Sequence, residues 1–275
     1  MHVTRIGGPT FLVELDSWRI LIDPTFDPPG SSYSFGLGTS STKTLGPAVS
    51  AEQVQPIDVI LLSHDHHADN LDRAGRALLP RAEHVITTRS GAKRLRLPNV
   101  RSMKAGRSTR LVARGKQPLQ VTATPARHGP AFSRPIVGSV TGFLLRLGTS
   151  SRYDLWVTGD TVLTRRLKRL ARSLYVDTAI LNGGGVRFDS TGPVEYTMTG
   201  ADVVELASLL RPRVAIPAHY DGWSHFHDGA TGMRRAIRDA AAPTRRRFLW
   251  LPDGLPVDIA EHLRPPLNPP ERTPS

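Results

Sequence analysis

Cysteine is absent from all 275 residues. A disulfide framework, a thiolate metal ligand and a thiol nucleophile are thereby excluded, so any metal must be held by His, Asp, Glu or Asn. Aromatic residues are sparse, at 6%. No apolar run approaches the length of a membrane span, and the N-terminal MHVTRIGGPTFLVEL lacks the apolar core of a signal peptide. The expectation is a cytoplasmic protein without a membrane span. Acidic residues are in deficit, since 36 Lys and Arg against 24 Asp and Glu give a formal charge of +12. Such an excess attracts phosphorylated metabolites, nucleic acid or an anionic surface, and it also occurs in arginine-rich proteomes without a specific partner.

The chain is long enough for a sizeable core. It shows no internal repeat at a fixed short period, which favours one domain over residues 1–262. The Pro-rich stretch at 263–275 predicts a disordered tail. Apolar runs flanking Gly7-Gly8-Pro9 predict a hairpin from residues 3–6 and 10–15, and a third strand covers 19–22. Residues 28–50, rich in Pro, Gly, Ser and Thr, read as a long surface loop. Further strands are expected near 84–88, 109–113, 118–124, 138–147, 153–158 and 214–217. Helices are expected over 70–79, 161–172, 199–210 and 228–241. In the second of these, Arg165, Arg166, Lys168, Arg169 and Arg172 form a charged face of the solvated kind.

The chemistry gathers at strand ends. DVILLSHDHHADNLD, at 58–72, runs from a short buried strand straight into three histidines and an aspartate-rich loop. His128 follows VTATP, Asp160 follows LWVTG, and His219 follows VAIPA with His225 and His227 close behind. Seven of the ten histidines lie in these three groups. A single histidine after a strand is usually a surface residue. Several groups that meet at one sheet edge instead make a cysteine-free metal site, suited to zinc or, with more carboxylates, to manganese.

SHDHHADNLD, TPARHG, TGDT and PAHYDGW, with ILIDP ahead of them, resemble the successive metal-binding motifs of the metallo-β-lactamase superfamily. The resemblance spans residues 2–250 and is nearest to the branch that contains ascorbate-6-phosphate lactonase and the N-acylphosphatidylethanolamine phospholipase D type enzymes. It implies an α/β fold, an αββα sandwich of two mixed β-sheets with helices outside and metals at one edge. Carried over by motif, His64, His66 and His128 hold a first metal. Asp69, Asp160 and His219 hold a second, Asp160 bridges both, and Asp23 orients a ligand histidine. One or two Zn²⁺ are implied, with Mn²⁺ or Fe²⁺ as alternatives.

The family pattern His-x-His-x-Asp-His is broken here by one extra residue between His66 and Asp69, and Asn70 stands where the last histidine belongs. An ungapped reading, Asp65-x-His67-x-Asp69, forfeits His64. His67, Asn70 and His225 are thus extra ligands or supporting groups. The implied activity is hydrolysis of an ester, lactone or phosphodiester of a small substrate, anionic ones included. A metal-bound hydroxide attacks and Asp69 acts as general base. Arg187 and Tyr196, in LNGGGVRFDSTGPVEYTMTG, are candidate substrate contacts. The alternative is a nucleic-acid processing or binding protein of the same fold, favoured by the charge. Against it stands the lack of the inserted domain or arm used by RNA-cleaving relatives.

Overall fold

The computed structural model describes residues 1–36, 38–131 and 138–263. All but the first residue of the expected tail lie outside these.

Fifteen strands are named among the described residues: β1 (His2–Gly7), β2 (Thr10–Leu15), β3 (Trp18–Ile22), β4 (Ser32–Gly36), β5 (Thr39–Thr42), β6 (Val59–Leu61), β7 (His84–Thr88), β8 (Val100–Met103), β9 (Ser108–Leu111), β10 (Leu119–Pro125), β11 (Thr141–Leu147), β12 (Tyr153–Val157), β13 (Val176–Asn182), β14 (Val214–Ala218) and β15 (Pro256–Asp258). One sheet has the order β15-β1-β2-β3-β6-β7-β8 and the other β14-β13-β12-β11-β10-β9. Each is antiparallel on one side and parallel on the other, the switch falling at β3/β6 and at β12/β13.

Alternation along the strands creates the layers. Ile20 and Ile22 of β3 and Phe143 and Leu145 of β11 face a core between the sheets, while Leu21 and Leu144 face outwards. Behind the second sheet, Leu144, Trp156 and Leu181 pack on the helices Arg165–Ser173, Gly200–Leu210 and Gly229–Asp239 through Leu167, Val203, Leu206 and Met233. Behind the first, Leu21, Ile60 and Leu62 meet Leu71, Leu78 and Leu79 around the short helix Arg73–Leu78. The result is an αββα sandwich. Because both faces of the central strands are covered, they read as unbroken apolar runs.

Local signals place most helix starts. Thr199 caps Gly200–Leu210 in a reciprocal capping box with Asp202, and Thr164 caps Arg165–Ser173. The 28–50 expectation needs correction, because that stretch holds the two-stranded hairpin β4–β5. Tyr33 donates its hydroxyl to Asp27, and Lys43 pairs with Asp72 at 2.9 Å, both members buried. This ties a polar-looking segment to the body over the site. Among the described residues no helix is long and apolar enough to cross a membrane.

Candidate metal centre

The centre is built where parallel strands stop. Asp23 follows β3, His64 follows β6, Asp160 follows β12, Asn182 ends β13 and His219 follows β14. Parallel strands end on the same edge, so groups far apart in sequence meet there. Asp23 and His219 leave their strands with φ of 38° and 54°, a left-handed turn that Asp and His tolerate better than branched side chains. Gly184, in the LNGGG stretch, lets the chain run so close that a Cβ there would collide with the His219 carbonyl oxygen and the Phe226 ring.

Three imidazoles turn their nitrogens on one another. His67 Nδ1 lies 3.3 Å from His64 Nε2 and 3.1 Å from His128 Nε2. His128 Nδ1 is 2.7 Å from the Tyr196 carbonyl oxygen, which can only accept, so Nδ1 carries the proton and Nε2 the lone pair. His64 Nδ1 is 2.9 Å from Ser63 Oγ, a hydroxyl that can donate or accept, and this contact orients the ring. Burial, joined by the neighbouring imidazoles, holds the His64 pKa well below its usual value, and burial with His128 beside it brings His67 down to about 3. His64 and His67, held neutral, thus face inwards beside His128. With Zn–N bonds of about 2.0–2.1 Å, tetrahedral ligands sit roughly 3.3 Å apart, close to these separations.

A second cluster adjoins the first. Asp69 Oδ2 is 3.4 Å from His219 Nε2 and 3.3 Å from His225 Nε2, and Asp160 Oδ1 is 3.1 Å from His219 Nδ1. Asp160, His64 and His128 also group within 4.8 Å, which places Asp160 between the clusters. Burial opposes charge at all of these groups. At His219 the carboxylates of Asp160 and Asp69 outweigh it and push the pKa up to about 10, and both carboxyls are in turn held below their ordinary range by the imidazoles. Buried Asp69 Oδ1 and Asp160 Oδ2 make no hydrogen bond, and the nitrogens of His219 and His225 that face carboxylates do so as ion-pair contacts without hydrogen-bond geometry. Each such group costs about 1–3 kcal/mol if left bare. One atom each of Asp69, His219 and His225 lie within 4.8 Å of one another, so a divalent cation held by one nitrogen of each ring and a carboxylate oxygen fits the donor set.

Several expected residues sit elsewhere. His66 joins His64 and His67 in one grouping within 4.8 Å, but its ring is pressed against Gly138, where a Cβ would overlap it. His67 is the residue facing both His64 and His128. Asp65, the ligand of the ungapped reading, is held by Arg94 through Nε at 2.8 Å and Nη2 at 2.5 Å. Asn70 turns its Nδ2 to Asp23 Oδ2 at 3.2 Å and Ser63 Oγ at 3.4 Å. Asp23 accepts the Ser63 N–H at 2.6 Å, so it reaches His64 through Ser63 and Asn70 rather than directly. Burial drives its pKa up to about 7 against the pull of that bond.

His225 reaches Asp69 after a bridge between Val186 and Phe226, and its ring stacks on Trp223 at 6.2 Å. Tyr196 lines the cleft above the centre, whereas Arg187 is paired with Glu195. Asn182 had not been singled out by itself. Its Nδ2 donates to Asp160 Oδ1 at 2.9 Å, and its position at the end of an apolar strand was the available signal.

The profile of the β-lactamase superfamily domain matches residues 18–220 of this chain. The chain belongs to the metallo-β-lactamase superfamily. A UPF0173 metal-dependent hydrolase from Carboxydothermus hydrogenoformans is 30% identical over 232 residues, covering 81% of this chain and 86% of its own. A second, from Caldivirga maquilingensis, is 25% identical over 255 residues and covers 91% and 95%. Among solved structures, an isothiocyanate hydrolase from Delia radicum gut bacteria superimposes with a TM-score of 0.77 at 17% identity, over 94% of this chain and 99% of that one. A possible metal-dependent hydrolase from Veillonella parvula also gives 0.77 at 17%. These structures share the metallo-β-lactamase fold, and the sequence relatives make this superfamily member a metal-dependent hydrolase.

Proposed function

We propose that this hydrolase cleaves an ester or lactone of a small molecule at a two-ion centre. His64, His67 and His128 hold one ion, Asp69, His219 and His225 the other, and Asp160 lies between. The observation that supports this best is the convergence of three imidazole nitrogens beside a carboxylate-rich cluster with unsatisfied buried atoms. Zinc suits the imidazole-rich first position, and the two carboxylates also admit manganese or iron. Such an ion supplies Lewis acidity and lowers the pKa of water towards about 7.

The chain's own groups do the rest. The Tyr196 carbonyl fixes the tautomer of His128, Ser63 orients the His64 ring, and Asn182 keeps one oxygen of Asp160 engaged while the other stays free. Asp69 keeps Oδ1 available to orient water and take its proton. The branch that the motifs resemble contains a lactonase and a phospholipase D type enzyme, which puts lactones, esters and phosphodiesters together in the test. The test is metal analysis of the purified protein with a panel of aryl esters, lactones and phosphodiesters. Stripping the metal should abolish turnover, and Asp69→Asn should lower it by about 10² or more. Full activity in metal-free protein would end this reading.

A further inference from the structure

Above the ligand cluster lies a narrow cleft, lined by Phe35, His67, Asp69, His128, Phe188 and Tyr196 among others. Three half-buried rings form its collar, each from a different turn of the chain around the centre. Phe35 comes from the hairpin β4–β5, and Phe188 and Tyr196 from the stretch after β13. Phe35 and Phe188 meet edge to face at 5.9 Å, and Phe188 and Tyr196 at 5.6 Å. The collar rests on the ligand side chains: Phe35 is 5.1 Å from the His67 ring, Phe188 5.7 Å from His225, and Tyr196 6.0 Å from His128.

The polar part of the lining is of one kind. Among the described residues no Lys or Arg lines the cleft, although the chain carries a net charge of +12. Arg187, beside Phe188, is engaged by Glu195. The hydroxyls of Thr39 and Thr191, the remaining polar side chains away from the ligands, donate to the Gly36 and Phe188 carbonyl oxygens. Among the described residues no side-chain cation stands at the collar to replace the hydration of an anionic substituent held away from the ions, whereas a flat uncharged ring meets the geometry of aromatic packing.

We infer that the Phe35–Phe188–Tyr196 collar selects uncharged substrates with an aromatic ring next to the scissile group. This rests on the metal-centre reading above and names the substrate class of that site.

Three hydroxamates separate the two ideas, because the hydroxamate group chelates metal whatever its substituent. Calorimetry on the zinc-loaded protein would compare acetohydroxamate, phenylacetohydroxamate and its 4-carboxyphenyl analogue. The phenyl compound should bind about tenfold more tightly than the methyl one, as expected for one or two ring contacts. The carboxylate should remove that gain, and Phe188→Ala and Phe35→Ala should each reduce it without weakening acetohydroxamate. Equal affinity for phenyl and methyl compounds, or tighter binding of the carboxylate, overturns the collar while leaving the metal centre standing. Failure of all three to bind overturns both.

Discussion

His66 and His67 are adjacent in sequence yet differ in what their rings touch. His67 is buried between His64 and His128, while His66 lies against Gly138. His67→Ala should therefore lose the first ion, and His66→Ala should retain it, as read by metal content after gel filtration. Equal losses would keep the extra residue after His66. His219 supports a second prediction. With its pKa raised to about 10, it is protonated at neutral pH in metal-free protein, and an entering ion must displace that proton. Zinc affinity at that position should rise about tenfold between pH 7 and pH 8, since one proton leaves per ion. Chelator competition at the two pH values measures this, and a flat profile would show that His219 is already neutral.

At the scale of elements, the hairpin β4–β5 is the piece whose role exceeds its size. It brings Phe35 to the centre, and its far end is pinned by the Lys43–Asp72 pair. Asp72 also accepts the N–H groups of Phe26, Asp27 and Gly75, so one carboxylate joins the hairpin, the turn after β3 and the helix Arg73–Leu78. Lys43→Met leaves this buried carboxylate without its cation. The expected cost is about 3 kcal/mol, the lower end for breaking a buried pair because the backbone donors remain. A urea midpoint close to that of the parent would mean that the backbone donors alone suffice.

Taken as a whole molecule, the two sheets meet at an edge crowded with ligand groups, and a bound ion stabilises only the folded chain. One ion at 100 times its dissociation constant adds about 2.7 kcal/mol, which for a domain of this size raises Tm by about 5 °C or more. Thermal denaturation with zinc against chelator tests this, and identical transitions would argue that no ion binds the folded state. The positive charge belongs to this scale too. Arg165, Arg166, Arg169 and Arg172 lie on or beside the outer helix, outside the cleft lining. An oligonucleotide should accordingly bind in a salt-dependent way without displacing phenylacetohydroxamate, and competition between them would favour the nucleic-acid alternative.

The linear chain by itself determined the strand-end motifs, the hairpin around Gly7-Gly8, the capped helix at Thr199 and the superfamily, because these depend on neighbours a few residues apart. Strand β13 carries an apolar run that went unassigned, and it became legible only as the strand between β12 and β14. Ligand choice within SHDHHADNLD was open for a physical reason. Spacing along a loop does not say which way a ring turns: the gapped alignment gave His67 only as an extra ligand or supporting group, and the ungapped one forfeited His64. Tertiary structure admits both, because the loop leaves β6 with His64 fixed by Ser63 and returns His67 to the same point opposite His128. It also turned Asn70 towards Asp23 and brought His225 to Asp69 across more than 150 positions of sequence. Contacts of that range are set by how the sheets pack, and no local pattern encodes them.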